Sequence, residues 1–150
     1  MKRFALFALL AALLGLGALA ALSYLEHSGG KRELIKELSP LACDLNATSC
    51  KLMYKNKELE VSLSPRPIMV LDELELRIRG LDEIKGLQAA IYGLNMYMGD
   101  VVGEFERQES GDYVASVVLS SCALPIMRFR LELLQGDRPL GSYIDFDVEK

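Results

Sequence analysis

From Lys51 onward, apolar and polar residues change places at every second position. Leu59, Val61 and Leu63 alternate with Glu58, Glu60 and Ser62, and Leu74, Leu76 and Ile78 with Glu75, Arg77 and Arg79. Met127, Phe129, Leu131 and Leu133 lie opposite Arg128, Arg130 and Glu132, and Ile144, Phe146 and Val148 alternate with Asp145, Asp147 and Glu149. Successive side chains of a strand point to opposite faces, so each set predicts one strand with an apolar face and a wet face. Turn-forming clusters divide the sets: Lys55-Asn56-Lys57, Ser64-Pro65-Arg66-Pro67, Glu109-Ser110-Gly111-Asp112 and Gln135-Gly136-Asp137-Arg138-Pro139.

Further strands are expected near Leu52–Tyr54 and over Gln88–Met98. Val101–Arg107 and Tyr113–Leu119 are expected to form a hairpin around Ser110-Gly111. The total is about eight strands, the spacing of a sandwich. No helical crossover separates them, which argues against a parallel sheet. The expected fold is therefore all-β: an immunoglobulin-like antiparallel β-sandwich over residues 51–150. The chain has no Trp and lacks the cysteine spacing of antibody domains, so the expectation is one of architecture.

The first 25 residues have a different pattern. Lys2 and Arg3 precede an uncharged apolar run from Phe4 to Leu22. As a helix this run would rise about 1.5 Å per residue and approach the thickness of a bilayer core. The basic start favours a cytoplasmic N-terminus, with the rest of the chain outside. A cleaved signal peptide is the rival reading, with Ala18-Leu19-Ala20 as a small-x-small cleavage site. Both readings export the remainder. The expected organisation is an anchor or signal over 1–25, a linker, short helix and cysteine loop over 26–50, and the sandwich over 51–150. The short helix is Lys31–Leu38, with apolar positions at Leu34, Ile35 and Leu38 and a stop at Pro40. The expected location is the inner membrane with the C-terminal domain in the periplasm, or a soluble periplasmic form if the run is cleaved.

Without Lys2 and Arg3 the exported part carries 15 Lys and Arg against 21 Asp and Glu, a net charge of −6. No basic stripe is left for nucleic acid. Three cysteines are present, Cys43, Cys50 and Cys122. An oxidising compartment permits one disulfide and leaves one thiol over. Cys43–Cys50 is the expected pair, since residues 44–49 can loop between them; Cys43–Cys122 and Cys50–Cys122 are open alternatives. Asn46-Ala47-Thr48 matches a glycosylation sequon, a short and weak pattern.

The groups that catalysis needs are not gathered. The only histidine, His27, stands in the linker. Asp72-Glu73 and Asp82-Glu83 are adjacent pairs, and neighbours in a strand face opposite ways. No phosphate-binding glycine loop and no C-x-x-C motif is present. The chain is not expected to be an enzyme.

What remains is "GLNMYMG", residues 93–99. On a strand, Met96 and Met98 would point to the same side, about 7 Å apart along the backbone. Thioethers are soft, suit Cu(I) and need no deprotonation. Cys122, in the loop Ser121-Cys122-Ala123-Leu124-Pro125, would be the third ligand. The competing reading is packing. Ala90, Tyr92, Leu94, Met96 and Met98 would form one strand face, with the flexible methionines filling irregular space at its end. Cys122 would then be a small buried hydrophobe.

A basic start, one membrane helix, a sandwich and a Met-x-Met-Gly segment resemble small periplasmic FixH-like and YtkA-like proteins. The chain is more similar still to a bacterial group with a "CDL…C" opening, an "SPRP" turn, "MYMG" and a later cysteine: here Cys43-Asp44-Leu45…Cys50, Ser64–Pro67, Met96–Gly99 and Cys122. The resemblance implies copper handling in cytochrome oxidase assembly, with a copper chaperone or oxidase assembly protein as partner. The chain departs from the YtkA-like pattern in having no histidine near the methionines, which favours Cu(I) over Cu(II). The alternative function is a structural module docking on a membrane complex through Tyr92, Tyr97 and their apolar neighbours.

Overall fold

A computed structural model describes residues 34–149. The alternating segments there form nine strands: β1 Cys50–Tyr54, β2 Lys57–Ser64, β3 Glu73–Arg79, β4 Leu87–Gly93, β5 Asp100–Glu104, β6 Glu106–Arg107, β7 Tyr113–Val118, β8 Ile126–Gln135 and β9 Arg138–Glu149. They make two antiparallel sheets, ordered β1-β2-β3-β7-β6 and β5-β4-β8-β9. The expected period-two faces account for the core. Leu59, Val61, Leu63, Leu74, Leu76 and Ile78 of the first sheet share one buried cluster with Ile91, Phe129, Leu131 and Phe146 of the second.

Three expectations are corrected. Leu34–Leu38 is not helical, and Lys31–Glu33 lies outside the described residues. A helix of this length is marginal alone. Here the backbone N–H of Ile35 donates to Leu94 O at 2.9 Å, and the Ile35 side chain packs on Ala90, Tyr92 and Leu94. Tertiary contacts draw the segment out along the sheet instead.

The strand expected over Gln88–Met98 ends at Gly93, so Met96 and Met98 lie in a loop. The cause is a backbone fold-back. A Cβ on Gly93 would stand 2.0 Å from the Met96 carbonyl oxygen, so only glycine admits the return.

The hairpin expected between Val101–Arg107 and Tyr113–Leu119 is split. β5 pairs with β4, and only β6 pairs with β7. The strand changes sheets at Phe105, whose ring meets Tyr113 edge-on and whose N–H donates to Leu87 O.

The strand register separates two ends. At the hairpin end lie the turns at Lys55-Asn56, 80–86, 105–112 and Gly136-Asp137. Lys55 and Asn56 both have positive φ, 45° and 63°, the conformation that matches the twist of a two-residue hairpin. At the loop end lie the incoming segment 34–49 and the connections 65–72, 94–99 and 119–125. The expected anchor or signal over 1–25 lies outside the described residues; among those residues no helix is long and apolar enough to cross a membrane.

Candidate functional site

Of the sequence-derived site residues, Cys43, Met96, Met98 and Cys122 fall in loop-end segments, whereas Cys50 pairs with Val61 partway down the sheet. Cys43 and Cys50 are bonded to each other, as expected. With a sequence separation of 7, the cross-link constrains the unfolded chain by about 2–3 kcal/mol on the chain-entropy model. Cys50 opens β1 and is buried, and Leu45 inside the loop is fully buried. The disulfide therefore pins the incoming segment to the core.

Asn46 extends this attachment. Its Nδ2 donates to Asp147 O at 2.8 Å, and its Oδ1 accepts from Ile68 N–H at 2.9 Å. The side-chain amide thus bridges β9 to the 65–72 connection. The sequon signal at Asn46 marks a structural amide already engaged by the fold.

The methionine loop is built by the same device. Beyond Gly93 the ladder with β8 stops, and Asn95 replaces it. Its Oδ1 accepts from Arg128 N–H at 3.0 Å and its Nδ2 donates to Ile126 O at 2.9 Å. Leu94 N–H also donates to Arg128 O at 2.7 Å. One side chain satisfies two backbone groups that a continuing strand would have paired. The backbone is thereby free to turn, so strand spacing does not aim the two thioethers to one side.

Met96 and Met98 are each half-buried and pack against the main core; Tyr97 between them is exposed. Cys122, also half-buried, lies in the 119–125 connection that leads into β8. Its Sγ accepts from Leu124 N–H at 3.2 Å. Asn95 ties the methionine loop to the first residue of β8, so the loop carrying Met96 and Met98 and the loop carrying Cys122 lie at the same end of the sandwich. Met127 stands between them. Its terminal methyl carbon would be 2.9 Å from a Cβ on Gly93, and the residue also lines a cleft of about 10 Å³ with Cys122, Val70 and Leu124. That space holds no more than one water-sized atom, so it excludes any organic ligand. Among the described residues, no three His, Cys, Asp or Glu side chains gather as a metal-holding group. Any soft-metal site here would rest on thioethers with the Cys122 sulfur.

Arg128 is the residue that sequence reasoning placed wrongly. Its alternation puts it on a wet face, yet its side chain is only 6% exposed. Nε and Nη2 donate to Asp147 Oδ1 and Oδ2, both at 2.8 Å, and Nη1 donates to Ser39 O. The incoming segment covers it. The bonds to Asp147 hold the guanidinium above the usual arginine range, although burial pulls the other way. Its charge persists through the neutral range, so the clamp has no pH switch on the arginine side. One position along, Arg130 makes a matching pair with Asp145 at 2.7 and 2.8 Å and lies over the Tyr143 ring. Tyr92, assigned to a contact surface from the sequence, is buried beneath Ile35; Tyr97 is 54% exposed.

An open groove of roughly 870 Å³ runs beside the clamp, between segment 38–46 and the starts of β8 and the 65–72 connection; Pro40, Ile68 and Met69 line it with Arg128 and Asp147.

No protein-family model, no curated protein and no solved structure matches the chain.

Proposed function

We propose that the chain is an exported, membrane-tethered accessory protein that binds Cu(I) through Met96 and Met98, with the Cys122 sulfur as third ligand. The observation that carries this reading is that the two sulfur-bearing loops share one end of the sandwich, where Asn95 ties one to the start of β8. All three residues are half-buried, so the sulfurs combine a firm backing with access from solvent. The protein is not an enzyme on this reading; it holds or hands over the ion to a copper chaperone or an oxidase assembly protein.

The strand order supports an immunoglobulin-type topology. β2-β3-β7-β6 follow the A-B-E-D order and β5-β4-β8-β9 the C′-C-F-G order, with β1 as an added edge strand. In folds of this type the connections gather at the two ends and carry the binding groups.

The test is a Cu(I) competition titration on residues 23–150 under reducing conditions, with Met96→Leu/Met98→Leu alongside. The swap nearly conserves volume, so stability should fall by less than about 1.5 kcal/mol. Copper affinity should be mostly lost. A wild-type protein that takes up no Cu(I) ends the reading and leaves Met96 and Met98 as packing groups.

The second reading, a docking module without metal, is favoured by a different observation: large apolar side chains stand exposed at the same end, Leu71 at 68% and Tyr97 at 54%.

A further inference from the structure

The exposed apolar side chains are unevenly placed. Leu34, Leu38, Met69, Leu71 and Tyr97 all lie in loop-end segments, and Val118 is the last residue of β7 at that end. The turns of the hairpin end hold none of the large apolar side chains that stand exposed among the described residues. Met53, Val102 and Tyr143 are on strand faces.

Leu71 is the sharpest case. It is the most exposed large apolar residue described, at 68%, and its φ is +66°. That region disfavours residues with a Cβ, and Gly or Asn is its usual occupant. Its N–H donates to Leu119 O at 2.9 Å, which fixes the backbone in that state. The fold thus holds a leucine on a disfavoured backbone while its side chain gains little from packing. Strained residues persist where the surrounding structure holds them, and they cluster at functional sites.

The chain's own connectivity says what lies nearby. The described fold starts at Leu34, at the loop end, and 11 residues, 23–33, separate it from the uncharged run Phe4–Leu22. Fully extended, a linker of that length reaches about 40 Å, so a retained anchor would bound the distance of Leu34 from the bilayer to about that value. Aromatic and aliphatic side chains favour the bilayer interface. Asp72, Glu73, Asp100 and Glu149 are also exposed at this end, so attraction to anionic lipid is not the driving term.

We propose that the loop end of the sandwich rests on a zwitterionic lipid surface, with Leu71 and Tyr97 entering the interface. This rests on the reading of Phe4–Leu22 as a retained anchor, and it is independent of copper.

The chain contains no Trp, so a single introduced Trp reports on one place only. The full-length chain carrying Leu71→Trp, Tyr97→Trp or, at the hairpin end, Asp137→Trp is placed in phosphatidylcholine discs with brominated acyl chains. Emission from positions 71 and 97 should be blue-shifted and mostly lost to bromine quenching, with no response to salt. Position 137 should keep its full emission. Quenching at position 97 is sufficient support if Leu71→Trp does not fold. A chain that fails to enter the disc overturns the anchor and the proposal together. A chain that enters but leaves both loop-end positions unquenched overturns the proposal alone. So does protection of those positions only in discs holding two chains, which would make the surface a protein interface.

Discussion

The two ends of the sandwich are built by different means. At the hairpin end, turns are local: Lys55-Asn56 and Gly136-Asp137 each join neighbouring strands through two residues. The longer connection 80–86 is held by Tyr113, whose hydroxyl accepts from Ile84 N–H at 2.7 Å. Charged pairs such as Lys57–Asp82 decorate its surface. At the loop end most ties are not local. Beyond the short disulfide loop, two asparagine amides and a buried guanidinium tie together segments far apart in sequence. The lesson is about where variable chemistry can be carried. Short hairpins leave no spare residues, whereas long connections need cross-ties and leave side chains over for a ligand or a surface.

The largest break in this contrast should come from Asp147→Ala. It strips both carboxylate bonds from buried Arg128 and leaves a charge under the incoming segment. The expected loss is about 3 kcal/mol, the low end for a broken buried pair because Asp147 keeps a quarter of its side chain exposed. Urea denaturation measures it, and unchanged stability would mean the clamp does not hold the segment. Asn95→Ala should cost about 2 kcal/mol, since the Arg128 N–H and Ile126 O lose their partner. Amide exchange should quicken around Ile126–Arg128 and stay slow in the hairpin turns. Faster exchange at both ends alike would erase the distinction drawn between them. The smallest effect should be Asp82→Ala at the hairpin end, below about 0.5 kcal/mol, because Asp82 is largely exposed and water competes for its pair with Lys57. A loss comparable to that of Asp147→Ala would show that surface charge organises the hairpin end after all.

Much of the sandwich was legible from alternation because burial of one face repeats every two residues, and that repeat is written in the sequence. Leu74, Leu76 and Ile78 are fully buried as their spacing requires. The same rule misread Arg128, because alternation reports which face a residue occupies and is silent on what later covers that face. It also overran Gly93. Nothing in "AAIYGLNMYM" distinguishes a continuing strand from one whose ladder Asn95 takes over. A glycine followed two residues later by an asparagine was the available hint, but its meaning depends on β8 lying alongside.

The sequence by itself determined the layered all-β architecture and favoured Cys43–Cys50 among three possible pairings, because side-chain periodicity and short loop closure are local properties of the chain; the structure selected that pairing. Only the tertiary structure decided that Met96 and Met98 stand on a loop, that Asn46 and Asn95 are ties between strands, and that Leu34–Leu38 runs extended over the sheet. Each of those outcomes depends on a partner dozens of residues away: Asp147 for Asn46, Arg128 for Asn95 and Leu94 for Ile35. A backbone group takes whichever partner spares it burial unsatisfied, and local pattern does not encode which distant group that will be.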